Sequence, residues 1–196
     1  MEQVDKGLMQ QLVDGKISDD DVMEMRRMFR KMLRINYAHM VKKDHARFWT
    51  YLEVLQEGVS WDEKILMRLN DHLYIVAKGN NERVVKCDCG HEYGDYRANW
   101  KLNTNIRVRE TQEQMNEVYY PAIAAPEASW MEIREYFCPG CTAQLAVEIV
   151  PPGYPMIFEA LPDLDRFYRE YMSQPLSDES VEWFQDTTTE VTATYK

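Results

Sequence analysis

Four cysteines fall into two tight pairs, Cys87 with Cys89 and Cys138 with Cys141, and the chain has no fifth. A structural zinc ion takes four soft ligands in a tetrahedron, and two thiolates on one tight turn supply half of them. Two such turns, separated by a long insertion, describe a metal site. The second pair has the Cys-Pro-x-Cys form of a zinc knuckle in Phe137-Cys138-Pro139-Gly140-Cys141, where proline and glycine shape a turn whose amides can face the sulfurs. The first pair is tighter, Cys87-Asp88-Cys89-Gly90-His91, and His91 is the alternate ligand if geometry excludes one thiolate. Iron in a rubredoxin-like site is the main rival to zinc. Two Cys-x-x-Cys knuckles would favour iron more than this combination does.

Disulfides are the competing use of these residues, and they require an oxidising compartment. Met1-Glu2-Gln3-Val4-Asp5 opens an acidic, polar stretch without the apolar core of a signal peptide, and no run of about eighteen apolar residues could span a bilayer. The expectation is a cytoplasmic, membrane-free protein. At 196 residues and 45% hydrophobic content, the chain can bury one sizeable core, or a core and a small metal-stapled module. Its net charge of −10 opposes the phosphate backbone, so no nucleic-acid partner is expected although many zinc ribbons bind one. The one basic concentration, Arg26, Arg27, Arg30, Lys31 and Arg34, stands beside Asp19, Asp20, Asp21 and Glu24 and reads as a solvated helix face or a protein docking site.

Hydrophobic periodicity orders the elements. Ser18 and Asp21 form a capping pattern ahead of Val22, Met25, Phe29, Met32 and Leu33, which predicts an amphipathic helix over 19–40. Its methionine-rich stripe suits either core or a partner surface. Asp44 caps a second helix in which Phe48, Leu52 and Leu55 share a face before Gly58, and Ser60 with Glu63 predicts a short third helix. After Asn70 the pattern changes to strands. His72–Val76 and Glu82–Lys86 flank the turn residues Gly79-Asn80-Asn81, and Met131–Phe137 and Gln144–Val150 flank the second cysteine pair, so both knuckles sit at hairpin turns. Between them, Ile106–Arg109 reads as a strand, and Thr111 with Gln114 caps a short helix ending before Pro121. Pro151-Pro152-Gly153-Tyr154-Pro155 breaks regular structure; Leu164, Phe167, Tyr168 and Tyr171 then define a last helix. The segment from Ser177 is acidic and threonine-rich, and is expected to be mobile or to order against a partner.

The predicted fold class is therefore α+β: N-terminal helices, a zinc-ribbon-like β module with an inserted strand-helix segment, and a C-terminal helix. The expected divisions are a helical arm at 1–70, the cysteine-stapled β module at 71–155, the helix at 156–176 and the tail at 177–196. No glycine-rich phosphate loop, His-Glu-x-x-His pattern or Gly-x-Ser-x-Gly elbow is present, and the four histidines at 39, 45, 72 and 91 are scattered. Asp163 and Asp165 lie where carboxylates meet a helix dipole, so capping is their default role, with metal or acid-base work the alternative. A closed four-thiolate site keeps no open position for substrate, which argues for folding and against catalysis by this chain.

Several stretches together resemble the acetone carboxylase gamma subunit family: Trp61–Leu66, His72–Val76, Arg83–Arg97, Asn99–Leu102, Cys138-Pro139-Gly140-Cys141, Pro151–Pro155 and Leu161–Asp165. The resemblance covers residues 48–175. It implies a small non-catalytic subunit in a heterohexamer of two alpha, two beta and two gamma chains that carboxylates acetone with bicarbonate and ATP to give acetoacetate. Nucleotide, manganese and ketone are then held by the large alpha and beta subunits, and zinc by Cys87, Cys89, Cys138 and Cys141 of this chain. The acetophenone carboxylases are similar, so the ketone stays open. A free-standing zinc-ribbon module binding protein or nucleic acid is the alternative function.

Overall fold

The computed structural model describes residues 10–11, 14–15, 45–79 and 81–194. The helix expected over 19–40 lies outside them. The chain forms two compact units, Met1–Val59 and Ser60–Lys196. In the first, α1 (His45–Glu57) is the expected second helix, with Leu52, Val54 and Leu55 buried.

The second unit is built on two antiparallel sheets. The first contains β1 (Lys64–Arg68), β2 (Leu73–Lys78), β3 (Glu82–Cys87) and β4 (Glu92–Asp95) in that spatial order. The second contains β5 (Asn105–Arg109), β6 (Glu132–Phe137) and β7 (Gln144–Val150), also in sequence order. Leu73 to Val76 are buried without alternation, the pattern of a strand covered on both faces. Pairing runs from Leu73 opposite Cys87 to Lys78 opposite Glu82, so the hairpin register carries Cys87 to the end of β3. Asn81 closes the turn at φ 59°, a left-handed value that asparagine tolerates.

Residues 60–68 correct the sequence reading. The predicted third helix is strand β1, because Ile65 and Leu66 are buried in pairing with β2 and the Glu63 carboxylate, expected to turn back on Ser60, instead accepts from Lys86 Nζ at 2.5 Å. The β unit thus begins before residue 71. Downstream, α2 (Gln112–Asn116) starts with the expected capping box of Thr111 and Gln114 and seats Met115 in the interior. Helix α3 winds as an α turn over Leu164–Arg166 and as a π turn over Phe167–Tyr171. Its Tyr168 hydroxyl donates to the Leu66 carbonyl at 2.7 Å, fastening the helix to β1.

The tail folds back on the first sheet: the Thr187 amide donates to the Arg97 carbonyl at 3.0 Å, the Tyr96 hydroxyl to the Trp183 carbonyl at 2.8 Å, and the Asn99 amide to Thr188 Oγ1 at 2.9 Å. A final turn, α4 (Thr188–Thr192), follows. Composition announces solvent here, yet one buried charge recruits the segment. Arg83, fully enclosed, donates through Nε and Nη2 to Asp178, each at 2.9 Å, and through Nη2 to Asp165 at 2.6 Å. Its guanidinium lies 4.5 Å from the Trp183 ring centre. A buried arginine without carboxylates would cost several kcal/mol, so the tail supplies what the sheet lacks.

Candidate metal centre

Two hairpin turns build the site. The first leaves β3 at Cys87 and re-enters β4 at Glu92; within it the Cys87 amide donates to the His91 carbonyl at 2.8 Å and the Gly90 amide to the Cys87 carbonyl at 2.8 Å. Gly90 has φ +94°, a conformation in which a side chain would be strained. The second joins β6 to β7, with the Cys138 amide donating to Ala143 and the Thr142 amide to Cys138, both at 2.9 Å. Gly140 lets the turns meet, since a Cβ there would stand 3.2 Å from Cys89 Sγ and 3.2 Å from the His91 Cβ.

All four sulfurs lie within 4.8 Å of one another, with Cys87 to Cys141 at 3.8 Å and Cys89 to Cys138 at 3.7 Å. A tetrahedron of sulfurs about 2.3 Å from its centre has edges of about 3.8 Å. The donor set and its spacing therefore fit a metal ion, and the four cysteines could hold one. Cys87 and Cys138 are buried; Cys89 and Cys141 are exposed. His91 packs its ring against Tyr93 at 4.9 Å between centres.

The protein sets the two buried sulfurs differently. Burial pushes the Cys87 thiol well up, and the adjoining Asp88 carboxylate, 3.2 Å from its sulfur, adds to this. At Cys138 burial also opposes the thiolate, but the Tyr93 hydroxyl and the Cys141 and Gly140 amides outweigh it and bring the thiol down to about 7. Tyr93 Oη is itself buried, and burial together with the Cys138 sulfur pushes its own hydroxyl up. A bound cation would favour all four thiolates, because its charge reverses the local balance.

Residues to which the sequence assigned no role at the metal site brace the first turn. Trp61 Nε1 donates to the Cys87 and Asp88 carbonyls, each at 3.2 Å, and the His72 ring meets Asp88 Oδ2 at 2.7 Å. Lys86 Nζ lies 5.1 Å from the Trp61 ring centre, joining that brace to Glu63. The clue available in sequence was Lys86 itself, a charge between the apolar Val84-Val85 and Cys87 at the end of a strand. Asp163 takes its expected role, accepting from the Arg166 amide at 3.0 Å, whereas Asp165 partners Arg83 instead of capping.

Lys101, like Arg83, is fully buried. Its ammonium donates to Glu148 Oε1 at 2.5 Å, to the Ile157 carbonyl at 3.0 Å and to Glu159 Oε1, so all three N–H groups are used. Tyr136 donates to the second Glu148 oxygen at 2.7 Å. A lysine so saturated fastens the chain beyond Pro155 to β7 and has no hydrogen free for chemistry.

The sequence model of a family described as "Acetone carboxylase gamma subunit" matches residues 59–172. A protein of that name from Xanthobacter autotrophicus (strain Py2) is 40% identical over 168 residues, covering 85% of this chain and 92% of the relative. The chain belongs to the acetone carboxylase gamma subunit family. A second relative, an acetophenone carboxylase beta subunit from Aromatoleum aromaticum, is 33% identical over 93 residues, 47% of this chain and 72% of that one. Both cysteine turns of this gamma-family chain fall inside the matched span. No helix among the described residues is long and apolar enough to cross a membrane.

Proposed function

We propose that this chain is the non-catalytic gamma subunit of a cytoplasmic, ATP-dependent ketone carboxylase, a heterohexamer with alpha and beta chains that converts acetone and bicarbonate to acetoacetate. Cys87, Cys89, Cys138 and Cys141 hold zinc, with His91 outside the ligand set, and the metal fixes the two hairpin turns together. Manganese and ATP belong to the large subunits. The observation that carries this reading is the closed cluster of four sulfurs in a chain of this family. Such a donor set leaves no coordination position for substrate, so the metal supplies folding energy and rigid shape.

The test is to purify the native assembly through a tag on this chain and to analyse polypeptides, metals and activity together. Two large partner chains, one zinc per copy of this chain and ATP-dependent fixation of bicarbonate onto acetone are the expected result. A chain that purifies alone, or that carries iron with visible absorption, overturns the assignment.

A further inference from the structure

We propose that the excursion between α2 and β6, residues 117–130, is the surface by which this chain docks on one of the larger carboxylase subunits; the proposal rests on the subunit reading above. Tyr120 is 99% exposed, Ile123 93% and Trp130 72%. Single apolar residues on a surface are ordinary, but three large ones on one short excursion are not. Tyr120 and Trp130 alone offer on the order of 150–250 Å² each to a partner.

The excursion is held in shape while its large side chains face water. Gln112 clamps it from both sides of its amide, donating to the Pro126 carbonyl at 3.2 Å and accepting from the Ala128 amide at 3.1 Å. A single 3-10 turn over Ala122–Ala124 is closed by the Ala124 amide on the Pro121 carbonyl at 2.9 Å, and the Trp130 amide binds the Glu127 carbonyl at 3.0 Å. Side chains displayed on a pre-shaped loop lose little freedom on binding, which is the economy of an interface anchor.

Charge identifies the occupant. From Glu110 to Ile133 the sequence contains no lysine or arginine, while Glu110, Glu113 and Glu127 are exposed. Exposed apolar side chains on a stretch whose only charges are acidic fit an apolar pocket with a basic rim. A second copy of this chain would bring two acidic stretches together, so a different subunit is the partner.

The experiment compares full-length wild type with Ile123→Asp and Tyr120→Ala, each expressed with the large subunits and recovered through a tag on this chain. Tyr154→Ala, at a half-exposed aromatic elsewhere, is the control. Retention of the large chains should fall about thirtyfold for Ile123→Asp and less for Tyr120→Ala, with metal content and circular dichroism unchanged and the control equal to wild type. Variants that retain the large chains as wild type does overturn this surface and leave the subunit reading intact. Wild type that recovers no large chain overturns both. A wild-type dimer in sedimentation that Ile123→Asp dissociates, with the large chains still retained, assigns the surface to self-association and likewise overturns the proposal.

Discussion

The two ends of β3 are fastened by opposite chemistry. At Cys87 the strand enters a sulfur cluster that reaches Cys141, 54 residues away, through soft ligands arranged for a cation. Four residues earlier, Arg83 supplies the cation itself and collects carboxylates 82 and 95 residues away. Both arrangements join distant chain at one strand, but they differ in what each can lose. With the proposed metal bound, the sulfur end depends on a solute and therefore on chelators and metal supply. The arginine end depends on solvent exclusion and on the ionisation of two aspartates. On that proposal, the stability of one β unit is divided between an exchangeable metal bond and a bond made within the chain.

The largest expected effect separates the ends most sharply. Cys138→Ser removes one of the four proposed ligands, and with it much of the about 10–16 kcal/mol that zinc binding contributes to such modules. Metal analysis should find the site empty. Stripping metal from wild type with a chelator should then release the amides of Cys87 and Cys138 to hydrogen exchange before those of Ser180 and Thr187. Simultaneous release of both sets would show that the two ends are one cooperative structure.

Arg83→Met comes next. It leaves the buried Asp165 and the half-buried Asp178 without a counter-charge, at about 3–5 kcal/mol, which lowers the melting temperature by roughly 10 °C. Metal content should stay at the wild-type value, and the tail beyond Ser177 should become sensitive to protease. Loss of metal in this variant would end the distinction between the two ends.

A smaller effect follows pH. The Arg83 guanidinium, donating directly to Asp178, holds its carboxyl below the usual 3.8. A lowered folded-state value contributes stability that is complete above the unfolded value and drains as pH falls through the folded one. Wild type should therefore lose melting temperature below about pH 4 more steeply than Asp178→Asn. Equal acid limbs would remove Asp178 as the titrating group. The smallest effect is a reference: Arg166 and Glu170 form an exposed pair at 3.0 Å on α3, and Arg166→Ala should leave the melting curve in place. If it costs as much as Arg83→Met, burial is not what gives the arginine end its strength.

The sulfur end was legible in the sequence because its information is local: ligand type, spacing within a turn, and flanking strands all fall within a few residues of Cys87 and Cys138. The same holds for α1, for the β2–β3 hairpin and for the Thr111–Gln114 capping box. The arginine end was not legible, since nothing near Arg83 names a partner 95 residues on. Asp165 looked like a cap for the same reason, its position in α3 being local and its bond to β3 not. Residues 60–68 failed by a related route: Ser60 and Glu63 carry a capping signature, but Lys86 competes for the Glu63 carboxylate and the β2 edge for Ile65 and Leu66. In each case a tertiary partner overrode a signal that was correct over four residues.

The return of the tail to Arg83 also sets a timetable for synthesis. Chains lengthen by about 5–20 residues per second, so on the order of 5–20 seconds separate the appearance of Arg83 from that of Asp178. During that interval β2 and β3 can pair and the first cysteine turn can close, but the guanidinium must remain in water. The stretch of message around codon 178 therefore decides when the sheet can shut. A transcript cut short just before codon 178 yields a product whose backbone pairing is finished and whose Arg83 has Asp165 but not Asp178.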